Sequence, residues 1–515
     1  MQRRYRNSVA QSLTFSDYFC MFVPTFSSLS ANTVLPILLT IIEHKTMQDL
    51  TYWKRGLIFA IAALLLCIAG FYNGFPLHFH DTYSYIAAGF NTSEMGSRPI
   101  GYSFFVRHIS LHETLWLVVF MQGVLLAMSI WLGFKYLFRK QLTTGQFLAY
   151  ITLITTTTAV SIHTSIIMPD IFTPMLLLSF LVLLFGQEMS RKDKIITTIL
   201  LMISLTMHNV HFWIICLTLL FVGVGFTFAK GRSFYQSINL SIKRVAVVFL
   251  IMIGGNLLSS TLNFAVGGNF SGGTGGGIFL FARLTEFGIA QEYLKENCDK
   301  QDLAICEHFT ENMQVGNSFL WDGNSPLYKT GGWDKEAQAL YGKLAKDILM
   351  TPKHFKQYLI RCIEESFVCL SRFELNEGTT SGDRDFQFKA IEQWFPLYHT
   401  SYWQSRQVHD YYTNDVFQFS NLLQNGILGI SLIILLVALF DRKYITQRQV
   451  FIIVILFVLF YANSFVSGAV SGPFERYQSR IFWLLTLPAF ALVLQYWQKK
   501  KEPTPTTTIL TTEPK

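Results

Sequence analysis

The feature that most constrains this chain is a series of apolar windows, each about 20 residues long, that recurs over most of its length. A helix of about 20 residues is long enough to cross the ~30 Å of hydrocarbon in a bilayer. Only 14% of the residues are charged, whereas a soluble domain usually carries about a quarter. These features exclude a water-soluble enzyme and predict an all-α polytopic membrane protein.

Ten windows fit spanning helices, at 56–75, 113–137, 144–163, 170–187, 195–208, 211–229, 244–265, 420–440, 449–468 and 480–497. One set of flanks holds seventeen basic residues: Lys54, Arg55, Arg139, Lys140, Arg191, Lys192, Lys194, Lys230, Arg232, Lys243, Arg244, Arg442, Lys443, Arg448, Lys499, Lys500 and Lys501. The short connections on the other side hold only Arg98, Arg107, Arg476 and Arg480. Because cytoplasmic loops carry the excess of Lys and Arg, the first loop is predicted to lie outside.

The windows divide the chain into five parts. Residues 1–55 form a cytoplasmic or interfacial segment, whose apolar patch at 33–42 is too short to span the membrane. Translation is expected to start at either Met1 or Met47. Spans one to seven fill 56–265 and include the outer loop 77–112. Residues 266–419 form a mainly helical periplasmic domain, with helices predicted at 284–297, 333–349 and 353–371. Spans eight to ten fill 420–497, and 498–515 is predicted to be a disordered cytoplasmic tail.

The insertion also contains four of the seven cysteines. Cys298 and Cys306 are predicted to form a local disulfide if the outer side is oxidising. Cys362 and Cys369 would lie ~10 Å apart along a helix, which is too far for a disulfide. No Cys/His spacing in the chain resembles a zinc site.

The outer loop contains an aspartate directly after the first span, in "HDTYSYI". Apolar side chains after Asp81 follow the spacing of a short amphipathic helix that lies in the membrane interface. A second short helix is predicted after "SRPIGY", because Pro99 suits a helix start. Asp81 itself can be an N-cap, which is the commonest role for such an aspartate, or a chemical group, and the two roles do not exclude each other.

Further charged residues are predicted on the same face of the membrane. Asp170 begins the fourth span in "MPDIF", and "ERYQSR" places Arg476, Tyr477 and Arg480 before the last span. Each has a plain alternative: a helix-start charge for Asp170 and headgroup snorkelling for the arginines. Together, however, the guanidinium groups match phosphate oxygens, and a carboxylate beside them can accept a proton from a hydroxyl. The pattern predicts group transfer from a lipid phosphate outside the cytoplasm.

With these residues the chain resembles the GT-C superfamily of polytopic glycosyltransferases, which use polyprenyl-phosphate-linked sugars. The resemblance rests on Asp81 in the first outer loop, on "RPIGYSFF", on Asp170 and on "ERYQSR". It implies an inverting transfer to a hydroxyl of a lipid, glycan or protein acceptor, on the periplasmic face of a bacterial inner membrane. One departure is that members often carry their large domain at the carboxyl end, whereas here it interrupts the spans.

The resemblance also implies residue roles. Asp81 would be the general base, and Asp170 would position the acceptor or a divalent metal such as Mg²⁺ or Mn²⁺. The donor phosphate and sugar would contact the following side chains: Arg98, Tyr102, Arg476, Tyr477 and Arg480. In the insertion, Arg283 and Glu286 are candidates for the roof of the cavity, with an ordinary i, i+3 surface pair as the alternative.

Other classes of protein remain open on the sequence. A transporter or flippase of lipid-linked glycans predicts charges deep in the spans, and the spans are nearly free of them. A membrane acyltransferase would use a buried histidine such as His163, for which no second histidine or asparagine stands at a fixed spacing. A non-catalytic envelope assembly protein predicts no affinity for a lipid phosphate. Nucleic-acid binding is not expected, because no basic stripe is interleaved with aromatics.

Overall fold

The computed structural model describes residues 45–94, 96–273, 275–301, 303–310, 312–375, 384–409 and 414–501. Within these ranges the chain is all-helical, and the only extended pairings are isolated bridges at Thr46–Thr143 and Leu77–Ile166. The predictions made for the apolar patch 33–42 and for the tail after residue 501 fall outside the described residues.

The helices before the insertion are α1 to α12: Tyr52–Leu66, Ile68–Asn73, Thr82–Phe90, Ile100–Ser110, Trp116–Leu137, Thr144–Thr157, Val160–Ser165, Phe172–Phe185, Arg191–Met207, Val210–Thr227, Ala229–Ser237 and Ile242–Ala265. Those of the insertion are α13 to α20: Gly276–Glu286, Ile289–Asn297, Gly316–Trp321, Pro326–Lys329, Lys335–Met350, Pro352–Ser371, Arg384–Trp394 and His399–Trp403. The last four, α21 to α24, are Asn414–Phe440, Gln447–Val470, Arg476–Phe482 and Thr486–Lys501.

Six helical segments among the described residues are long and apolar enough to cross a membrane: Trp116–Leu137, Val210–Thr227, Ile242–Ala265, Phe417–Phe440, Gln447–Val470 and Arg476–Lys500. The architecture is therefore that of an all-helical, multi-pass membrane protein. The other predicted spans are shorter or interrupted, as in α1 with α2 and α6 with α7. The count of ten spans stays a prediction.

The interruptions have local causes in the sequence. Helix α2 ends at Gly74, whose φ of 82° is the left-handed conformation that glycine adopts without a steric penalty. Helix α6 ends in a run of threonines. Thr157 and Thr158 donate their hydroxyls to the carbonyls of Leu153 and Ile154, at 2.6 and 2.7 Å, and such bonds compete with the continuation of a helix.

At the end of the bundle farthest from the insertion, a single arginine joins the ends of three helices. Arg448, in the first turn of α22, donates to the carbonyls of Tyr136 and Leu137 at 3.0 and 3.3 Å, and to that of Phe185. These carbonyls belong to the last turns of α5 and α8, where a cation is favoured by the helix dipole. One guanidinium therefore holds three helices together at this membrane face, which we call the opposite side.

The insertion has a small apolar core of its own, between Ile278 and Ile348, and we call its face of the membrane the insertion side. The single helix predicted at 284–297 is two helices, α13 and α14, because Gly288 lies between them with φ 75°. The insertion is attached to the membrane bundle by α18, which packs along α22, and by α19, which packs on α3. The interpretation of 266–419 as one outer domain is not tested by these contacts.

Candidate functional site

A short extended pairing brings the two sequence-predicted aspartates into one region. The Leu77 amide donates to the Ser165 carbonyl at 2.9 Å, and the Ile167 amide donates to the Leu77 carbonyl at 2.9 Å. Next to this bridge, the Thr82 hydroxyl donates to the Ile167 carbonyl at 3.1 Å. Asp81 lies four residues after Leu77, and Asp170 lies four residues after Ile166, its partner in the bridge. The bridge therefore fixes the backbones of the two aspartates relative to each other.

Asp81 occupies the N-cap position of α3, but its side chain makes no capping hydrogen bond. Its carboxylate instead forms an ion pair with Arg98, and Arg476 approaches the other carboxylate oxygen at 3.9 Å. The capping alternative is therefore wrong for the side chain. The side chain of Asp81 is 24% exposed, so water and small ligands can reach it.

The structure gives a local role to each named residue of the Arg-Pro-x-Gly-Tyr element. Arg98 pairs with Asp81 and also donates to the Ser84 hydroxyl, and Pro99 precedes the first turn of α4. A Cβ atom at Gly101 would overlap the Thr206 carbonyl oxygen, so glycine is needed for α4 to pack against α9. The Tyr102 hydroxyl donates to Gln122 Oε1 at 2.7 Å.

Asp170 lies in the short 3₁₀ turn Pro169–Ile171 and is paired with Arg480 at 2.9 Å. Arg480 is fully buried and also donates to the Asn463 side-chain oxygen at 3.1 Å. Asn463 in turn donates to the Tyr477 carbonyl at 2.8 Å. Because a buried charge is tolerated only when it is paired and hydrogen-bonded, this network holds Asp170, α22 and α23 in one arrangement.

Arg476 connects the two carboxylates. Its guanidinium lies 3.9 Å from Asp81, packs over the Phe79 ring at 4.3 Å, and lines a cleft together with Asp170. The cleft encloses about 380 Å³, its open mouth included, and its walls are formed by Phe79, Ile162, His163, Ile166, Met168, Asp170, Glu374, Leu375, Arg476 and Ser479. One cation and two acidic residues from three distant segments, Arg476, Asp170 and Glu374, therefore share one cleft.

Three polar residues of this cleft were given no role in the predicted site. His163 Nε2 lies 2.9 Å from the Ser479 hydroxyl, and Glu374 lies three residues after the end of α18. Ser479 is three residues after Arg476, so the helical spacing of "ERYQSR" places both on one face. His163 has no such local signal, since its hydrogen-bond partner Ser479 is 316 residues away in sequence. Glu374 comes to the cleft from the insertion, far in sequence from Asp170 and Arg476.

Of the residues predicted for the site, Asp170 and Arg476 line the cleft, whereas the others are not among its lining residues: Asp81, Arg98, Tyr102, Arg283, Glu286, Tyr477 and Arg480. Tyr102 is fully buried against Tyr85, with ring centroids 5.1 Å apart, and the Tyr477 hydroxyl lies 2.7 Å from that of Ser471. Both support the site from behind. Their predicted contact with substrate stays a prediction.

Arg283 and Glu286 form an ion pair, yet it is neither a cavity contact nor an ordinary surface pair. The Arg283 side chain is buried and donates twice to the Gly468 carbonyl, at 3.1 and 2.9 Å. It also lies 3.4 Å from Glu365. Its visible role is to attach the insertion to the end of α22.

The insertion contains a disulfide between Cys298 and Cys306, whose Cα atoms are 5.6 Å apart. Cys362 and Cys369 are buried and free, as the helical spacing predicts. A divalent metal does not fit the two aspartates as placed, because each carboxylate is paired with a guanidinium. No group of three metal-ligating side chains occurs within the described ranges.

The arrangement can bind an anion beside a carboxylate that water can reach. It lies on the insertion side of the helical bundle. The Arg476 guanidinium is the group best placed for the anion, since it lines the cleft with Asp170 and lies 3.9 Å from Asp81. Compared with protein-family models, curated proteins and solved structures, the chain has no match.

Proposed function

We propose that this chain is a membrane glycosyltransferase of GT-C type, which moves a sugar from a polyprenyl-phosphate donor to a hydroxyl acceptor on the insertion side. The observation that carries the proposal is the position of Arg476, 3.9 Å from Asp81 and in the wall of the cleft that Asp170 lines. A lipid phosphate held there would lie next to an accessible carboxylate.

The proposed reaction is a single displacement with inversion. Asp81 takes the proton of the acceptor hydroxyl, the acceptor oxygen attacks the anomeric carbon, and the bond from that carbon to the phosphate oxygen breaks. The leaving phosphate gains negative charge, which Arg476 and Arg98 neutralise. Asp170, fixed by Arg480, orients the groups around the acceptor.

The ion pairs of Asp81 give the proposal a specific order of events. Arg98 and Arg476 both approach the Asp81 carboxylate. When the donor phosphate attracts these two guanidinium groups, the carboxylate is released to accept a hydrogen bond from the acceptor hydroxyl. Donor binding would therefore come before the reaction of the acceptor.

The proposed location is the inner membrane of a bacterium, crossed ten times, with the insertion side facing the periplasm. The excess of Lys and Arg on the opposite flanks supports this orientation. The Cys298–Cys306 disulfide supports it independently, since disulfides persist in oxidising compartments.

The test is a transfer assay with the full-length protein in liposomes, using a panel of radiolabelled polyprenyl-phosphate hexoses and total envelope glycolipid as acceptor. Asp81→Asn keeps the shape of the side chain and removes the base, so transfer should fall by about 10²- to 10⁴-fold. Glu94→Gln is the matched control, because Glu94 is an exposed carboxylate in the same loop.

The assay also separates the alternatives. Full transfer by Asp81→Asn with loss of transfer in Glu374→Gln would assign the base to Glu374, in the cleft wall, and reject Asp81. A transporter would move labelled lipid across the bilayer with no acceptor present, and flux without transfer would overturn the glycosyltransferase proposal.

A further inference from the structure

Helix α18, Pro352–Ser371, has two different faces although it belongs to the polar insertion. His354, Cys362, Ser366 and Cys369 are buried against the protein. The outward face carries six exposed apolar residues, Phe355, Leu359, Ile360, Ile363, Phe367 and Val368. Exposed charged residues lie among them in the upper part of the helix. Phe367 is 61% exposed, which in water would leave a large aromatic surface uncovered.

The direction of α18 is set by its contacts with the spanning helix α22. The Tyr358 hydroxyl donates to the Ala469 carbonyl at 3.0 Å, whereas the Phe367 ring lies 5.9 Å from the Tyr461 ring. As residue numbers rise along α18, they fall along α22. The two helices are thus antiparallel, and α18 descends from the insertion side along the outer part of α22.

The chain directly after α18 lies beside the middle of the spanning helices. The Phe373 ring contacts the Phe482 ring at 5.1 Å, and Phe482 contacts Phe460 at 5.1 Å. The Phe373 carbonyl accepts a hydrogen bond from Gln424, in α21, at 2.8 Å. Phe460 precedes the end of α22 at Val470 by ten residues, or about 15 Å of helix. That is about half the ~30 Å thickness of the hydrocarbon layer.

The charged side chains of α18 are concentrated toward the end that lies nearest the insertion. Lys353 and Lys356 lie in the first turn of α18, and Arg361 is paired with Glu364 at 2.9 Å near its middle. The next two exposed side chains, Phe367 and Val368, are apolar, and the exposed Ser371 ends the helix. Arg372, at the lower end, donates to the Pro473 carbonyl at 3.3 Å, in the connection on the insertion side, as expected for a cation that extends toward the interface.

We propose that residues 352–375 are a re-entrant membrane segment, inserted into the leaflet on the insertion side with its apolar face in contact with lipid acyl chains. The occupant of this face is lipid because the face continues the lipid-crossing surface of α22, beside which it lies. Irregular backbone at the lower end is permitted at this depth because the protein covers it: Phe373 is bonded to Gln424, and the Leu375 amide donates to the Asn421 side chain at 3.0 Å.

This proposal does not depend on the proposed function, but it changes the surroundings of the cleft. Glu374 and Leu375 stand in the cleft wall, directly after the helix that contacts lipid. One wall of the cleft is then supplied by a segment inside the bilayer, so that a molecule with a lipid tail can reach the cleft without leaving the membrane.

The test measures collisions of a spin label with oxygen, which concentrates in the bilayer, and with a water-soluble nickel chelate. The full-length protein is labelled at Phe367→Cys, Ile363→Cys or Leu359→Cys in a background with Cys20→Ala and Cys216→Ala, and is placed in liposomes. Met350→Cys is the matched control, because Met350 is 73% exposed at the end of α17, within the insertion. Each labelled position is exposed, so the substitutions leave the packed core intact.

The expected result is a ratio of oxygen to nickel collisions that rises from position 350 through 359 and 363 to 367. A label at 367 that meets the nickel chelate as often as the label at 350 would place α18 in water and overturn the proposal. A label at 367 that meets neither reagent would show that another protein surface covers the face, which also overturns it. Transfer activity is not part of the readout, so this result and the enzymatic proposal can fail separately.

Discussion

Two arginine–carboxylate pairs on the insertion side, connected through Arg476, differ in how much water reaches them. In the Asp170–Arg480 pair, the side chains are 7% and 0% exposed, and Asn463 holds the guanidinium from another direction. In the Asp81–Arg98 pair, they are 24% and 20% exposed. The same two chemical groups therefore occur in a sealed and in an open environment within one region.

The difference separates a structural contact from one that can change partner. Breaking a buried pair leaves an unpaired charge in a medium of low dielectric constant, which is very unfavourable. An open pair exchanges one partner for water or for a ligand at little cost. We infer that Asp170 and Arg480 keep the cleft in shape, while Asp81 and its arginines are free to rearrange around a bound anion.

The largest effect is expected for Arg480→Leu, which removes one partner of the sealed pair. Asp170 would be left buried without its ion pair, so the free energy of unfolding should fall by about 3–5 kcal/mol. Thermal unfolding of the purified protein in detergent measures this change. The double variant Asp170→Leu with Arg480→Leu removes both charges and should recover most of the loss. An unchanged melting temperature for Arg480→Leu alone would mean that the pair does not hold the cleft.

A smaller effect on stability is expected for Arg98→Ala, which opens the accessible pair. The free energy of unfolding should fall by no more than about 1 kcal/mol. Under the proposed function, the KM for the polyprenyl-phosphate donor should rise about tenfold, which corresponds to about 1.4 kcal/mol. Arg107→Ala is the control, because Arg107 is an exposed arginine in α4, the helix that follows Arg98. A loss of stability as large as that of Arg480→Leu would erase the distinction between the two pairs.

The smallest effect is expected for a third pair, Glu292–Lys353, which is open to solvent on the insertion. Hydrogen bonds from Lys353 and Gln357 hold the pKa of Glu292 below its ordinary value. The pair therefore stabilises the fold at pH values above the ordinary pKa of glutamate, and this contribution is lost as the pH falls through the lowered pKa. Melting curves of wild type and Glu292→Gln should differ slightly at pH 7 and coincide in acid. A difference that grows on acidification would contradict the assignment.

Much of the local structure could be predicted from the sequence, because its causes are local. Apolar windows predict the long helices, Pro99 predicts the start of α4, and the spacing of the two outer cysteines predicts the Cys298–Cys306 disulfide. The capping boxes of α6 and α22, Thr143 with Gln146 and Thr446 with Gln449, follow from residues three positions apart.

The partners of charged side chains could not be predicted in the same way. Asp81 has the sequence context of an N-cap, yet its carboxylate pairs with Arg98, 17 residues away. Arg283 has a local partner in Glu286, and its burial under Gly468, 185 residues away, has no local signal. His163 and Ser479 are 316 residues apart. Such contacts depend on how whole helices pack, which periodicity alone does not determine.

The amphipathic character of α18 was available in the sequence, but its location was not. A polar insertion between spans is expected to lie in water, and the exposed apolar face of α18 becomes intelligible only beside α22. Hydropathy averaged over a window detects segments that cross the bilayer completely. A helix that enters from one side and carries charges along its upper half has an average too low to be recognised.

The guanidinium of Arg448 limits how the molecule can move. It joins the last turns of α5 and α8 to the first turn of α22 at the opposite side, so these three helices cannot separate there without breaking several bonds to one charged group. Any widening of the cleft to admit a bulky molecule must then be a splaying of the far ends about this fixed point. Under the proposed orientation, the three helices would stay joined at their cytoplasmic ends and would separate only on the insertion side.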